Sequence, residues 1–304
     1  MKLLLFTSNN SSRLSYISHF IFDELMGVES VITQSIEVFK SFDGPKINYS
    51  NEIFTGKHFT ILPVPLLYET SINNQKTDCF KVNNYTAFFK INNADLSFDI
   101  FAASFYLLSR YEEYLPHKKD MYGRFAHENS LAFKEGFLQL PLINIWIKDF
   151  RFTLKNRFPS LQIIEPLFAF LPTYDIDIAF SYRHKGFVRN LGGFLKNPSL
   201  QRLSVLCRIN KDPFDVYDQL DELHKKHQLA PVYFFLIASK NGVYDKNISP
   251  KNSAMVNLIK RHAKKYTVGI HPSWQSGDKI WLQKEEIKDL ENITMQPVNI
   301  SRQH

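Results

Sequence analysis

The chain has 304 residues, of which 44% are hydrophobic and 14% aromatic, with 27 phenylalanines and 14 tyrosines; that is material for two domains with aromatic-rich cores. Its formal charge is +7, yet the lysines and arginines stand in ones and twos, a diffuse positive charge that suits anionic partners but not a clustered nucleic-acid footprint. Cys79 and Cys207 form no CxxC and exclude a disulfide framework or a zinc ribbon, and no apolar run approaches the ~18 residues of a membrane span.

Residues 3–7 read as a first strand, since the apolar run is too short for a signal sequence and Ser and Asn follow at once. The expectation is a cytoplasmic protein with no membrane span and no nucleic-acid partner. Ser11 or Ser12 caps a helix in which Leu14, Ile17, Ile21 and Leu25 keep helical spacing. Residues 28–39 alternate loosely and predict a strand pair with a break. Asp43-Gly44-Pro45 is a turn, and residues 47–67 hold two short strands around Thr55-Gly56-Lys57.

Residues 98–115 predict the strongest helix of the first half, with Asp99 at its start complementing the helix dipole and Pro116 ending it. Arg110 is expected to pair with a carboxylate and tie the helix to its neighbours. A second helix covers residues 141–154, with Leu142, Ile145, Trp146 and Phe150 on one face. Pro159 and Ser160 interrupt the pattern, which puts a boundary between about 155 and 165. Residues 1–160 are therefore expected to form an N-terminal α+β (or α/β) domain.

The second half alternates strand and helix. An apolar run ending at Leu171-Pro172 leads into Thr173-Tyr174-Asp175-Ile176-Asp177. Residues i and i+2 of a strand share a face, so Asp175 and Asp177 stand side by side at the strand end. Two close like charges are costly unless a cation or a shared proton relieves them; the same pair also fits a strand end whose Asp caps the next helix. Residues 180–212 are a polar, glycine-containing excursion, long enough to be functional or to carry its own helices. A helix then runs from Asp212-Pro213 to Lys226, a buried strand over 231–237, a helix over 253–266, a strand over 267–270, a helix over 284–293, and a strand over 297–300. His224 and His227, spaced i, i+3, fall on a polar helix face and read as solvated.

Such alternation builds a parallel sheet or an α/β barrel, with the active site at the C-terminal strand ends. The polar residues delivered there are Asp175 and Asp177, then His271 and Ser273, then Arg302 and His304.

These three clusters resemble the motifs of the polysaccharide deacetylase family, carbohydrate esterase family 4, with its NodB-type domain. The resemblance covers residues 165–304. Thr173-Tyr174-Asp175-Ile176-Asp177 is similar to the first motif, His271-Pro272-Ser273-Trp274-Gln275-Ser276 to the second, and Arg302-Gln303-His304 to the third. The resemblance implies an incomplete (β/α) NodB-like barrel and a metal-dependent hydrolase of N-acetyl groups on a sugar or polysaccharide. It implies Asp175 as catalytic base, Arg302 as the group holding that base charged, and Asp177 and His271 as ligands of a divalent metal, zinc by family habit, with His304 a further candidate ligand. The partner implied is an N-acetylated glycan substrate. Residues 98–141 resemble the region that precedes such domains in a group of bacterial proteins.

Two departures stand out. Gln275 occupies the place of the family's second histidine, and glutamine is a poor zinc ligand. The family's catalytic acid, a late histidine, has no counterpart before His304, and four strands do not close a barrel of seven or eight. The expectation is a truncated chain, with a degenerate, non-catalytic glycan- or partner-binding domain as the alternative function. A metal-dependent hydrolase of another amide or of a phosphoester is a third.

Overall fold

The computed structural model describes residues 2–164, 167–240, 242 and 244–303. The chain divides into two compact units, Met1–Leu167 and Phe168–His304.

The first unit starts with β1 (Leu3–Phe6), whose four residues are all buried, as expected of a strand covered on both faces. Helix α1 (Ser12–His19) follows, capped by Ser11, whose Oγ accepts the Leu14 N–H at 3.0 Å. A wider π turn, Phe20–Leu25, prolongs it. Then come β2 (Ser30–Thr33), α2 (Ile36–Ser41), β3 (Lys46–Asn48) and β4 (Phe59–Thr60). The four strands form a parallel sheet in the order β2-β1-β3-β4. The strand pair expected over residues 28–39 is thus one strand and one helix. Ser35 caps that helix by accepting the Val38 N–H, and Phe39 is its buried anchor; a local cap outweighed the loose alternation.

A hairpin of β5 (Phe80–Val82) and β6 (Tyr85–Ala87) leads to α3 (Ile100–Leu108). The helix stops before residue 115. Arg110 takes a left-handed backbone, φ 51°, and a single 3-10 turn, Tyr111–Tyr114, fills the space to Pro116. Arg110 does pair with a carboxylate, but with Glu113 of that same turn rather than a neighbouring element. After α4 (Leu131–Lys134), α5 (Leu142–Arg157) packs Trp146, Phe150 and Leu154 into the core. Buried Asp99 knots the unit together. One carboxylate oxygen accepts the Phe101 and Ala102 amides at the start of α3, and the other accepts Tyr49 Oη–H and the Val64 amide. Burial pushes its pKa up to about 6 against the opposing pull of these donors.

The second unit contains β7 (Thr173–Ile176), α6 (Phe187–Lys196), α7 (Leu200–Leu206), α8 (Tyr217–His227), β8 (Val232–Leu236), α9 (Ser253–Ala263), β9 (Thr267–His271) and α10 (Ile280–Thr294). The strands form an open parallel sheet in the order β7-β8-β9. No barrel closes among the described residues. The strand expected over 297–300 is reduced to a bridge: Ile270 N–H donates to Ile300 O, Arg302 N–H donates to Ile270 O, and Ile270 pairs parallel with Ser301. The fold class is α/β with parallel sheets in both units.

One face of the β7-β8-β9 sheet carries Ile176, Tyr233, Phe235 and Ile270 into a core with Met255, Leu258, Ile259 and Leu290 of the helices. His224 of α8 joins that side. It is 1% exposed, lies among Tyr174, Tyr233 and Tyr266, and its Nε2 is 2.9 Å from Tyr174 Oη. Its expected place on a solvated face is therefore wrong. The helix turns that position under the strands, and tyrosine edges accept an imidazole there. The strand residues of opposite parity, Thr173, Asp175, Phe234, Gly269 and His271, project to the other face.

Candidate active site

Register decides what meets at the strand ends. Asp175 pairs with Phe234, and Phe234 with Gly269; one pleat further, Leu236 pairs with His271. Asp177 follows two residues after Asp175, so it projects on the same side as Asp175 and toward the His271 row. Glycine at 269 lets the Phe234 ring lie across the sheet: a Cβ there would meet Phe234 Cδ1 at 2.7 Å and Ile300 Cγ1 at 2.8 Å.

Two charged pairs result. Arg302 Nη1 lies 3.2 Å from Asp175 Oδ1, Nη2 donates to Thr173 Oγ1 at 2.7 Å, and the guanidinium sits 5.1 Å over the Phe234 ring. The aromatic face and two oxygens fix a side chain that is otherwise free to swing. Asp175 keeps about a third of its side chain open to solvent (34%). Beside this pair, His271 Nε2 lies 3.1 Å from Asp177 Oδ1. The imidazole is buried, while half of the Asp177 side chain is exposed.

The histidine is oriented from behind. His271 Nδ1 lies 2.7 Å from the Arg302 carbonyl oxygen. A carbonyl accepts only, so Nδ1 carries the proton and Nε2 is the nitrogen presented to Asp177. Arg302 thus serves the site twice, with its side chain on Asp175 and its main chain on His271. Burial disfavours the charged imidazolium, but the Asp177 carboxylate and the Arg302 carbonyl outweigh it and hold the His271 pKa above the ordinary histidine value.

Residues that the sequence did not single out hold the rim in place. Buried Asn247 accepts the Ala179 and Ile248 amides on Oδ1 and donates from Nδ2 to the Ile176 and Leu236 carbonyls. It therefore clamps the ends of β7 and β8 and the turn that carries Asp177. Buried Asp245 accepts the Trp274 amide at 3.0 Å and buried Glu286 accepts the Ser273 amide at 3.1 Å, fixing the turn after His271. Burial raises the Glu286 pKa against the pull of the Ser273 donors. The only signal for Asn247 and Asp245 in the sequence is an i, i+2 polar pair in a long loop, which has no recognisable period.

Gln275 does not approach the His271–Asp177 pair as a ligand. Its amide donates to Lys240 O at 3.1 Å and lies 3.3 Å from Asp245 Oδ2, a loop-fastening role. Ser273 gives its backbone to Glu286 and its carbonyl to Ser276 Oγ. His304 lies outside the described residues. Among the described residues no group of three or more His, Cys, Asp or Glu side chains is arranged to hold a metal. Asp177 and His271 nonetheless fit a divalent cation in donor type: a carboxylate oxygen and an imidazole Nε2 whose tautomer is set by a backbone carbonyl.

No curated protein and no solved structure gives a significant match to the chain. Residues 3–159, just over half of the 304, match the model of DUF7033, a family of unknown function, and the protein belongs to that family.

Proposed function

We propose that the second unit is a metal-dependent hydrolase of N-acetyl groups on a glycan, built on a partial NodB-like (β/α) barrel. The observation that carries this reading is the division of labour at one strand-end rim: Asp175 held by Arg302 at 3.2 Å, and Asp177 facing His271 at 3.1 Å. The likeness of the three sequence clusters to polysaccharide deacetylase motifs supplies the substrate class. Asp177 and His271 would hold the metal, with His304 or water completing the set. A divalent metal, zinc by donor type, supplies Lewis acidity toward an amide carbonyl.

The chain's own groups do the remaining work. Arg302 pairs with Asp175 at 3.2 Å, and Asp175, about a third open to solvent, accepts a proton from an attacking water. The Arg302 carbonyl fixes the His271 ring so that its proton stays on Nδ1. Asn247 holds the Ile176 carbonyl and the Ala179 amide, so that Asp177 is delivered from a rigid turn.

Zinc titrated into the 304-residue chain near neutral pH is expected to bind at one equivalent, and His271→Ala abolishes that binding. Acetate release from N-acetylated oligosaccharides is expected to fall by about 10²–10⁴ in Asp175→Asn. Absence of stoichiometric metal, in wild type and variant alike, sinks the proposal. A non-catalytic glycan-binding reading draws on the two-donor set among the described residues; oligosaccharide binding indifferent to chelator would favour it.

A further inference from the structure

The formal +7 of the chain has one address. Residues 178–211 contain seven lysines and arginines and no aspartate or glutamate; the remainder of the chain carries thirty of each sign and balances. Basic residues stand in ones and twos throughout, so the unevenness lies in the missing acids. The first acid after the segment, Asp212, is buried and turned inward. Its carboxylate accepts the amides of Ser181, Tyr182, Arg183 and Phe214, closing the excursion at its base.

The two helices of this segment, α6 and α7, are mounted inside out. No residue of α6 is buried. Its polar side faces the protein: Arg189 donates to the Lys246 and Asn247 carbonyls, and Asn190 donates to the Tyr182 carbonyl. Arg202 of α7 donates to the Asn190 carbonyl and lies over the Tyr182 ring. Its guanidinium fits against Gly193, where a Cβ would come within 2.2 Å of it. The apolar side faces outward. Phe187, Val188, Leu195, Leu200 and Ile209 are 73–85% exposed. Valine 205 is the buried anchor of α7.

A ten-residue helix with two glycines is marginal in water on its own, and this one presents its hydrophobic stripe to solvent. Acid-free basic flanks around exposed Phe and Leu are the composition of a helix that lies in a lipid interface. We propose that residues 185–211 dock the second unit on a membrane surface bearing anionic lipids, with the outward stripe of α6 and α7 among the acyl chains and Lys185, Lys196 and Arg208 at the headgroups; Lys211 is paired with Asp218 of α8. The contact is interfacial and needs no spanning helix; among the described residues no helix is long and apolar enough to cross a membrane. It does not depend on the proposed hydrolase chemistry.

The test is flotation of the full chain with phosphatidylcholine vesicles, with and without phosphatidylglycerol. Binding is expected only with the anionic lipid and is lost in high salt. The combined variant Lys185→Glu, Lys196→Glu, Arg208→Glu is expected to lower partitioning on the order of a hundredfold. The variant Phe187→Ser, Leu195→Ser, Leu200→Ser is expected to lower it more than about tenfold while leaving the melting temperature unchanged, because these side chains are exposed. Phe187→Trp should show a blue-shifted emission on anionic vesicles. No flotation with anionic vesicles, equal flotation of both combined variants and wild type, or a dimer in solution that the Phe187→Ser, Leu195→Ser, Leu200→Ser variant breaks, would overturn the proposal.

Discussion

Replacing Asn247 by alanine should loosen the rim of the second unit far more than its single loop position suggests. The side chain satisfies four main-chain groups: the amides of Ala179 and Ile248 at 3.0 and 2.9 Å, and the carbonyls of Ile176 and Leu236 at 2.8 and 3.3 Å. The residue is 3% exposed, so these groups do not reach bulk water when the amide is removed. Each buried group left without a partner costs about 1–3 kcal/mol. Water entering the space left by the side chain recovers part of this, which leaves an expected loss of about 2–4 kcal/mol. Urea unfolding followed by circular dichroism measures it directly.

Asn247→Asp sharpens the test. The carboxylate still accepts both amides but turns an anionic oxygen toward two carbonyls, which raises its folded-state pKa. A raised carboxyl pKa means that the folded form keeps its proton where the unfolded chain has lost it. The variant is therefore least impaired below about pH 4 and weakens as pH rises through the folded value. A loss below about 1 kcal/mol in Asn247→Ala, or an Asp variant as stable at neutral as at acid pH, would refute the reasoning that this amide holds the strand ends.

Asp99 in the first unit gives a second pH dependence. Its pKa, pushed up to about 6 by burial, implies stability that is fully present below about pH 4 and lost as pH rises through 6, worth about 3 kcal/mol; Asp99→Asn should flatten that slope in a pH series of urea midpoints, and an unchanged slope would contradict the assignment. Gly269→Ala should cost about 1–3 kcal/mol, because the new methyl meets the Phe234 ring and Ile300 at 2.7–2.8 Å. A melting temperature equal to wild type would show that the ring moves aside without cost.

Much of the second unit could be read along the chain. The uninterrupted apolar run over residues 231–237 marked β8 as a buried parallel strand, because such strands are covered on both faces. Polar residues at the ends of the expected strands, Asp175, Asp177, His271 and Arg302, were then singled out by position, although the apolar run before Asp175 is exposed at Leu167, Phe168, Phe170 and Leu171 and only Thr173–Ile176 forms strand. Elements of the first unit were harder to read. Residues 28–39 suit both an alternating strand and a short capped helix, and the Ser35 cap decided between them. At residue 109 the helix of Phe101 and Tyr106 ended because Arg110 went left-handed, a backbone choice with no period to betray it.

What the sequence determined by itself was the identity and order of the rim residues, since strand spacing and turn position are local properties. It also held the charge imbalance of residues 178–211, although that becomes visible only when acids are counted as well as bases. Tertiary structure decided the pairings. Arg302 lies more than a hundred residues from Asp175, and only the parallel register across β8 and β9, with the Phe234 ring over Gly269, sets the guanidinium against that carboxylate and the carbonyl behind His271. The fold also turned His224 inward among tyrosines and set the apolar stripe of α6 outward. Helical periodicity names the two faces of a helix; which one meets the protein is settled by what the neighbouring elements offer to pack against it.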